Sequence, residues 1–394
     1  MLSDFDRLAI AWLTMFTIGS DLFAVSPLLP LIADDYGVSV ASAGLSVTVF
    51  AFTYALCAPA LGHIADRVGR RPVLTCCLCA FGLANLLTAV SADFAWLLVA
   101  RLIAGAAAAG VSPSIYALAG GTAPPQERAT RMAIVVSGLL MSLAFGTPIG
   151  LLTAASVDWP VVFGALGALS LLLAGLNSRV WRDADAFGSV AGSAEHPTRI
   201  AVAAQLAPTV LWSTALYAMY TYLGEGLSSL GYSSDRIAEV IVFYGSGAIL
   251  GTLVGGRTAD RLGAGPTSTI GLAGLGACLV LLVVALRLGL LVDCAVAVLS
   301  FSAQLFFPAQ QLRLANYFAT RRTTILAWNN SALFLGISLG SLAGGQAVSL
   351  GGFDIDLAIA AVIALVGCFT TLESRRRAEV TISLVDQTYV AKAG

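Results

Sequence analysis

The sequence predicts an all-α membrane protein: twelve transmembrane helices in two pseudo-symmetric six-helix halves. Three observations predict it. First, the 394 residues are 58% hydrophobic and only 11% charged, with a mean hydropathy of +0.88. A soluble domain carries about 25% charged residues. This much apolar surface requires a bilayer as solvent. Second, the polar turn GHIADRVGRRP (Gly62 to Pro72) returns as GRTADRLGAGP (Gly256 to Pro266), with every pair at one offset of 194 residues, about half the chain. A repeat of that size indicates two similar membrane halves in tandem, the build of many transporters. Third, the basic residues fall on alternate sides of the apolar runs.

The runs can be taken in order. Spans of about 20 apolar residues are expected at 8–33, 40–61, 72–91, 94–118, 131–154 and 160–180, then at 203–224, 236–255, 267–286, 289–309, 324–349 and 355–372. The first run is too long for the core of a cleaved signal peptide, and its flank is mixed in charge, so it reads as a retained span. Residues 1–181 form the first half, 182–200 a cytoplasmic linker, 201–375 the second half and 376–394 a cytoplasmic tail. With both termini inside, eighteen basic residues lie inside, Arg313 among them, and only Arg236 and Arg287 lie outside. That asymmetry follows the positive-inside rule. It fixes the expected topology of a multi-pass protein with both termini cytoplasmic.

Two charges stand well inside spans. Asp21 lies mid-span in IGSDLFAVSPLLP, and Arg101 lies in LLVARLIAG. A charge in hydrocarbon must face a cavity, find a partner or be neutralised. Counted from the outer ends, the two differ in depth by about one arginine side chain, at about 1.5 Å rise per residue. They can therefore pair, directly or through water. Such a pair serves either as a proton-loading site or as a fixed ion pair joining spans 1 and 4. The 194 offset puts Ala215 and Ala295 opposite them, so this chemistry belongs to the first half.

Small residues recur at intervals of four. Gly138, Ser142, Gly146 and Gly150 do so in span 5, as do Gly247, Gly251 and Gly255 in span 8 and Gly336, Gly340 and Gly344 in span 11. Such stripes let helices approach closely, either as ordinary packing or as the sliding interface between halves. Pro148 should bend span 5. Trp212, Tyr217, Tyr220, Gln304, Asn329 and Asn330 suit the lining of an amphipathic cavity. Glu225 and Asp293 read as interface charges. In the repeated turn, Asp66 can oppose a helix N-terminus and pair with a nearby arginine. The glycines permit the turn. Gly62, Asp66, Arg67, Gly69 and Arg70, with Asp260 and Arg261, then form a latch that ties the inner ends together. Seven cysteines sit mostly in apolar runs and, with only two histidines, read as buried thiols rather than a metal site.

These motifs carry a resemblance. GHIADRVGRRP resembles the signature between helices 2 and 3 of the major facilitator superfamily, and LLVARLIAG resembles its helix-4 arginine motif. SGLLMSLAFGTPIG resembles the helix-5 glycine–proline motif of its antiporters, departing from it at Thr147. IGSDLFAVSPLLPLIA and NNSALFLGISLGSLAGG resemble helices 1 and 11 of bacterial drug:H+ antiporters, including sugar-efflux and nucleoside-efflux members. The resemblance spans nearly the whole chain. It implies the major facilitator fold, a two-lobed bundle rocking around a cavity lined by helices 1, 4, 7 and 10. Asp21 becomes the proton carrier, Arg101 its modulator and the repeated turn a conformational latch.

The expected function is proton-coupled export of a small molecule, working as a monomer and without a cofactor. Its partners are the small-molecule substrate, protons and membrane lipid. An uptake symporter or facilitator is the alternative. No H-E-x-x-H, G-x-S-x-G or G-x-x-x-x-G-K-[ST] motif supports an enzyme or an ATP-driven pump. No basic patch interleaved with aromatics supports nucleic-acid binding.

Overall fold

The computed structural model describes residues 4–124, 127–181, 199–289, 291–318 and 321–393. The expected linker, 182–200, falls almost wholly outside them. The described chain is helical throughout, with α1 Asp4–Asp35, α2 Val40–Val68, α3 Arg70–Ala89, α4 Phe94–Gly121, α5 Thr130–Ser156 and α6 Trp159–Val180. The second six are α7 Arg199–Ser229, α8 Ser234–Leu262, α9 Ala264–Leu288, α10 Val292–Tyr317, α11 Arg322–Gly351 and α12 Phe353–Ala393.

Eleven of these are long and apolar enough to cross a membrane. The twelfth, α7, is as long as the others but more polar. It carries Gln205, Thr209, Ser213, Thr214 and Thr221, all buried between neighbouring helices. Large apolar side chains such as Leu56, Leu83, Leu172, Val280 and Phe369 point outward around the bundle, as a lipid solvent requires.

Several expected boundaries move: α2 runs on to Val68, α8 to Leu262, and α10 shifts at both ends. Helix α10 starts three residues late, after Gly289 and Leu291 turn the chain in the positive-φ region. It then runs on to Tyr317, so Arg313 belongs to a helix rather than to a loop. Gln310, Gln311 and Arg313 lower the hydropathy of that end, which hid the helix. The Arg313 guanidinium is half-buried and donates to Gln310 Oε1 at 2.9 Å. Helix α12 also continues past its apolar part to Ala393. Of the cysteines, Cys77 and Cys278 are buried, but Cys76 and Cys294 are exposed on the outer surface of the bundle, contrary to the buried-thiol reading.

The two halves repeat in three dimensions. A Cβ on Gly146 would collide with Ser20, and one on Gly340 would collide with the Thr214 carbonyl. Gly150 sits against Ala24, and Gly344 against Ala218. Each pair of contacts is related by the same 194 residues. The stripes therefore pack α5 on α1 and α11 on α7, within a half. Gly138 likewise meets the Trp12 carbonyl, while Gly247, Gly251 and Gly255 meet α10. The sliding-interface role fails for these glycines. Close backbone approach of this kind replaces the hydrophobic effect, which gives little net drive between helices in lipid.

The turn glycines repeat as well. Gly69 holds φ 107°, ψ 148° and Gly263 holds φ 94°, ψ 151°. This region is essentially closed to residues with a Cβ and costs about 1–3 kcal/mol to impose. Gly62 is different: it lies inside α2, and a Cβ there would meet open space. It does not make the turn. Gly69→Ala should therefore lower the thermal unfolding midpoint in detergent by an amount equivalent to about 1–3 kcal/mol, whereas Gly62→Ala should raise it by the equivalent of about 0.5–1 kcal/mol. Equal midpoints for the two variants would contradict this assignment.

Candidate functional site

Asp21 and Arg101 meet at the middle of the first half. Helix α1 brings Asp21 to mid-depth and α4 brings Arg101 down from the arginine-poor face, which is remote from the arginine-rich loops. The guanidinium donates two bonds, Nη1 to Oδ1 at 2.7 Å and Nη2 to Oδ2 at 3.0 Å. Side-chain exposure is 0% for Asp21 and 1% for Arg101. The fork of an arginine matches both oxygens of a carboxylate, so the pair is bidentate. Two rings complete the pocket: the guanidinium carbon lies 4.6 Å from the Phe50 centroid and 5.4 Å from that of Phe163. Such contacts are worth about 2 kcal/mol or more when dry. Nothing in the sequence flagged Phe50 or Phe163, because rings in an apolar span carry no distinctive pattern.

Thus four helices, α1, α2, α4 and α6, converge on one charge pair. Gly105 makes this possible by letting α4 ride against the Phe50 carbonyl of α2. Beside the site, α5 is broken by a π-turn over Ser142–Gly146, followed by Pro148. The proline withholds a backbone donor, and the widened turn takes up the mismatch. Thr147, buried there, donates to the Ser142 carbonyl at 3.3 Å.

The other predicted residues divide. Trp212 is buried in packing, its Nε1 donating to the Ala303 carbonyl at 2.8 Å and its ring stacked on Phe306 and Phe307. Asn329 is also buried, accepting from Thr209 at 2.6 Å. Both pack against neighbouring helices, and neither lines the cavity between α7, α10 and α11. Tyr217 and Tyr220 form an edge contact, and Tyr220 stacks near Tyr244 and donates to the Phe23 carbonyl. Gln304 and Asn330 are half-buried. A cavity of about 610 Å³ opens on the arginine-rich face between α7, α10 and α11, lined by Leu206, Phe318, Arg321, Ile325 and Trp328. None of these was anticipated. Asp293 pairs with Arg236 at 2.5 Å, while Glu225 is half-buried.

At the repeated turn, Arg70 at the start of α3 pairs across Gly69 with Asp66 at the end of α2, and Arg71 donates to the Ser178 carbonyl at the end of α6. In the second copy, Ala264 and Gly265 replace these arginines, so Asp260 has no counterpart to that pair. Among the described residues no group of His, Cys, Asp or Glu could hold a metal.

The halves touch on the remote side. Ser26 of α1 donates to the Tyr220 and Thr221 carbonyls of α7. Ser341 of α11 donates to the Gly44 carbonyl of α2 at 2.9 Å. Tyr54 and Phe334 stack with centroids 3.4 Å apart. Gly224 packs on Pro27 and Gly245 on Ala144.

The ion pair makes a stability prediction. Arg101→Ala strands a buried carboxylate and should cost about 3–5 kcal/mol, whereas the double variant Asp21→Asn with Arg101→Met should recover most of it. A double variant no more stable than Arg101→Ala in detergent melts would refute this.

The sequence of residues 11–285 and 200–387 matches the family model described as Major Facilitator Superfamily. The chain is 30% identical over 347 residues to the protein of Bacillus subtilis (strain 168) called "Uncharacterized MFS-type transporter YceJ", covering 86% of this chain and 88% of the relative. It is 28% identical to the chloramphenicol resistance protein of Streptomyces lividans, over 65% of this chain and 66% of that one. In fold it is similar to a bacterial homologue of the human lysosomal transporter Spinster, solved in an inward-facing, occupied conformation. There the TM-score is 0.76 at 16% identity, covering 94% and 96% of the two chains. With its paired motifs, repeated halves and matching family model, the chain belongs to the Major Facilitator Superfamily, as a multi-pass membrane transporter.

Proposed function

We propose that this transporter is a proton-coupled exporter of small organic molecules. Residues 1–181 and 201–375 are the rocking halves, joined by 182–200, with 376–394 as a tail. With the arginine-rich face cytoplasmic, both termini lie inside and the contacts between halves close the outer side. The chain works as a monomer in a bacterial cytoplasmic membrane.

The observation that carries this reading is the dry, bidentate Asp21–Arg101 pair at mid-depth. A proton delivered to Asp21 turns an acceptor-only carboxylate into a neutral acid with an O–H donor. The hold on Arg101 weakens, and its charge is free to move relative to Phe50 and Phe163. Because α1 also carries Ser26, which seals the outer side against α7, loading the proton bears on the gate through one rigid helix. The break in α5 supports hinging beside the site. Asp66, Arg67, Gly69 and Arg70, with Gly62, Asp260 and Arg261, act as a latch on the cytoplasmic side. The arginines of the first copy make that latch one-sided. Tyr217, Tyr220, Gln304 and Asn330 remain the cavity candidates.

Export is favoured over uptake by the helix-5 motif and by the resistance protein among the relatives. An uptake symporter or facilitator on the same fold is the second reading. Inverted membrane vesicles with a fluorescent ΔpH probe test the choice. Compounds added singly, beginning with chloramphenicol, should discharge the gradient with wild type and not with Asp21→Asn. A compound carried equally by both proteins would make Asp21 structural and put the facilitator reading first.

A further inference from the structure

Asp356 is a carboxyl group that no motif pointed to. It lies in the first turn of α12, at the outer end of the second half, with 0% exposure. Neither of its carboxyl oxygens has a hydrogen-bond partner among the described residues. Asp354, two residues earlier, projects to the other side and is engaged by Arg287 at 2.9 Å. The two acids of one helix turn therefore have opposite fates.

The neighbours of Asp356 offer no compensating charge. From α7, where Gly226 packs on the Phe353 ring, the titratable groups at this level are Tyr222 and, one turn further on, Glu225. From α9, the titratable groups are Cys278 and Arg287, and Arg287 is held by Asp354. The outer end of α11 supplies none. The positive end of the α12 dipole favours a carboxylate, but by only a fraction of what dry burial costs an ion. A buried acid without a partner keeps its proton.

Its place matters as much as its surroundings. Tyr222 donates to the Ser341 carbonyl at 2.9 Å, and its hydroxyl lies so close to Gly44 of α2 that a Cβ there would collide with it. Ser341 in turn binds the Gly44 carbonyl. Tyr222, on the stretch of α7 that packs against the start of α12, thus reaches the seal between the halves. The fold does not require an acid there: 194 residues earlier the equivalent position is Val162, buried and apolar. Nor does the first half's pair recur, since Ala215 and Ala295 stand at its equivalents.

We propose that Asp356 is a second proton site, a carboxylic acid that holds its proton while the outer gate is shut and yields it to the outer solution when the gate opens. This rests on the alternating-access reading and is independent of Asp21. When the halves part at Gly44 and Ser341, water reaches Tyr222 and the acid behind it, and the carboxylate becomes affordable. Reclosure then requires a proton from outside, so external acid favours the closed gate.

Two measurements on the full-length protein test this. The infrared difference between wild type and Asp356→Asn, both without substrate, should show loss of the C=O stretch of a protonated carboxylic acid. Loss of a carboxylate band instead would overturn the proposal. In lipid vesicles, a spin pair at exposed outer positions, Val157 and Leu350, reports gate opening in a cysteine-free background that retains transport. Between about pH 8 and about pH 6, the wild-type and Asp21→Asn proteins should shift toward the short-distance population. Asp356→Asn should stay short at both values, and Asp356→Glu should restore the shift. A shift that persists in Asp356→Asn and disappears in Asp21→Asn would overturn this proposal and leave the Asp21 reading standing. A pair that ignores pH in wild type would also overturn it, and the vesicle assay would then judge Asp21 separately.

Discussion

Taking a charge out of water costs several kcal/mol per ion even after the surroundings relax, and the Asp21–Arg101 pair is where this chain meets that cost. The bidentate geometry, the two flanking rings and the tight α2–α4 approach at Gly105 all serve one dry pocket. The four helices of the first half are placed by what the pair needs. A helix that carries one member of such a pair cannot shift without exposing or stranding the other. That makes the pair a fixed point of contact between α1 and α4.

The packing around it is symmetric, whereas the chemistry is not. Small residues at equivalent positions bring α5 onto α1 and α11 onto α7 through the same contacts, displaced by half the chain. Gly69 and Gly263 make the same turn with the same dihedrals. Yet the ion pair exists only in the first half, the turn arginines Arg70 and Arg71 only in the first copy, and the buried Asp356, without a hydrogen-bond partner among the described residues, only in the second. A duplicated scaffold supplies two rigid bodies. Differences between them at a few positions give each half its own set of charged and buried groups.

Much of this was legible before any coordinates. Span positions followed from hydropathy, because a bilayer penalises polar side chains strongly enough to write its thickness into the chain. The fold class followed from the repeat, and the pairing of Asp21 with Arg101 from depth counting. The errors had physical causes. Helix α10 looked short because Gln310 and Arg313 satisfy each other inside it, and pairing does not show in a hydropathy profile. Trp212 and Asn329 are buried against neighbouring helices, and ring and amide types suit cavities and packing cores alike. Gly62 looked like a turn residue because it opens the motif, but only a backbone dihedral separates it from Gly69.

The sequence by itself determined the solvent, the number of spans, their alternation and the duplication. Each depends on composition or order along the chain, which the bilayer reads one helix at a time. Tertiary structure alone decided which glycines face which helix, that Phe50 and Phe163 hold the arginine, that the halves close on the arginine-poor side, and that Asp356 is buried while Asp354 is not. Those depend on the direction in which a side chain leaves its helix and on what a neighbour hundreds of residues away presents there. Two acids two positions apart differ by more than half a helical turn in direction. One therefore meets water and a guanidinium, and the other meets only the packed interior.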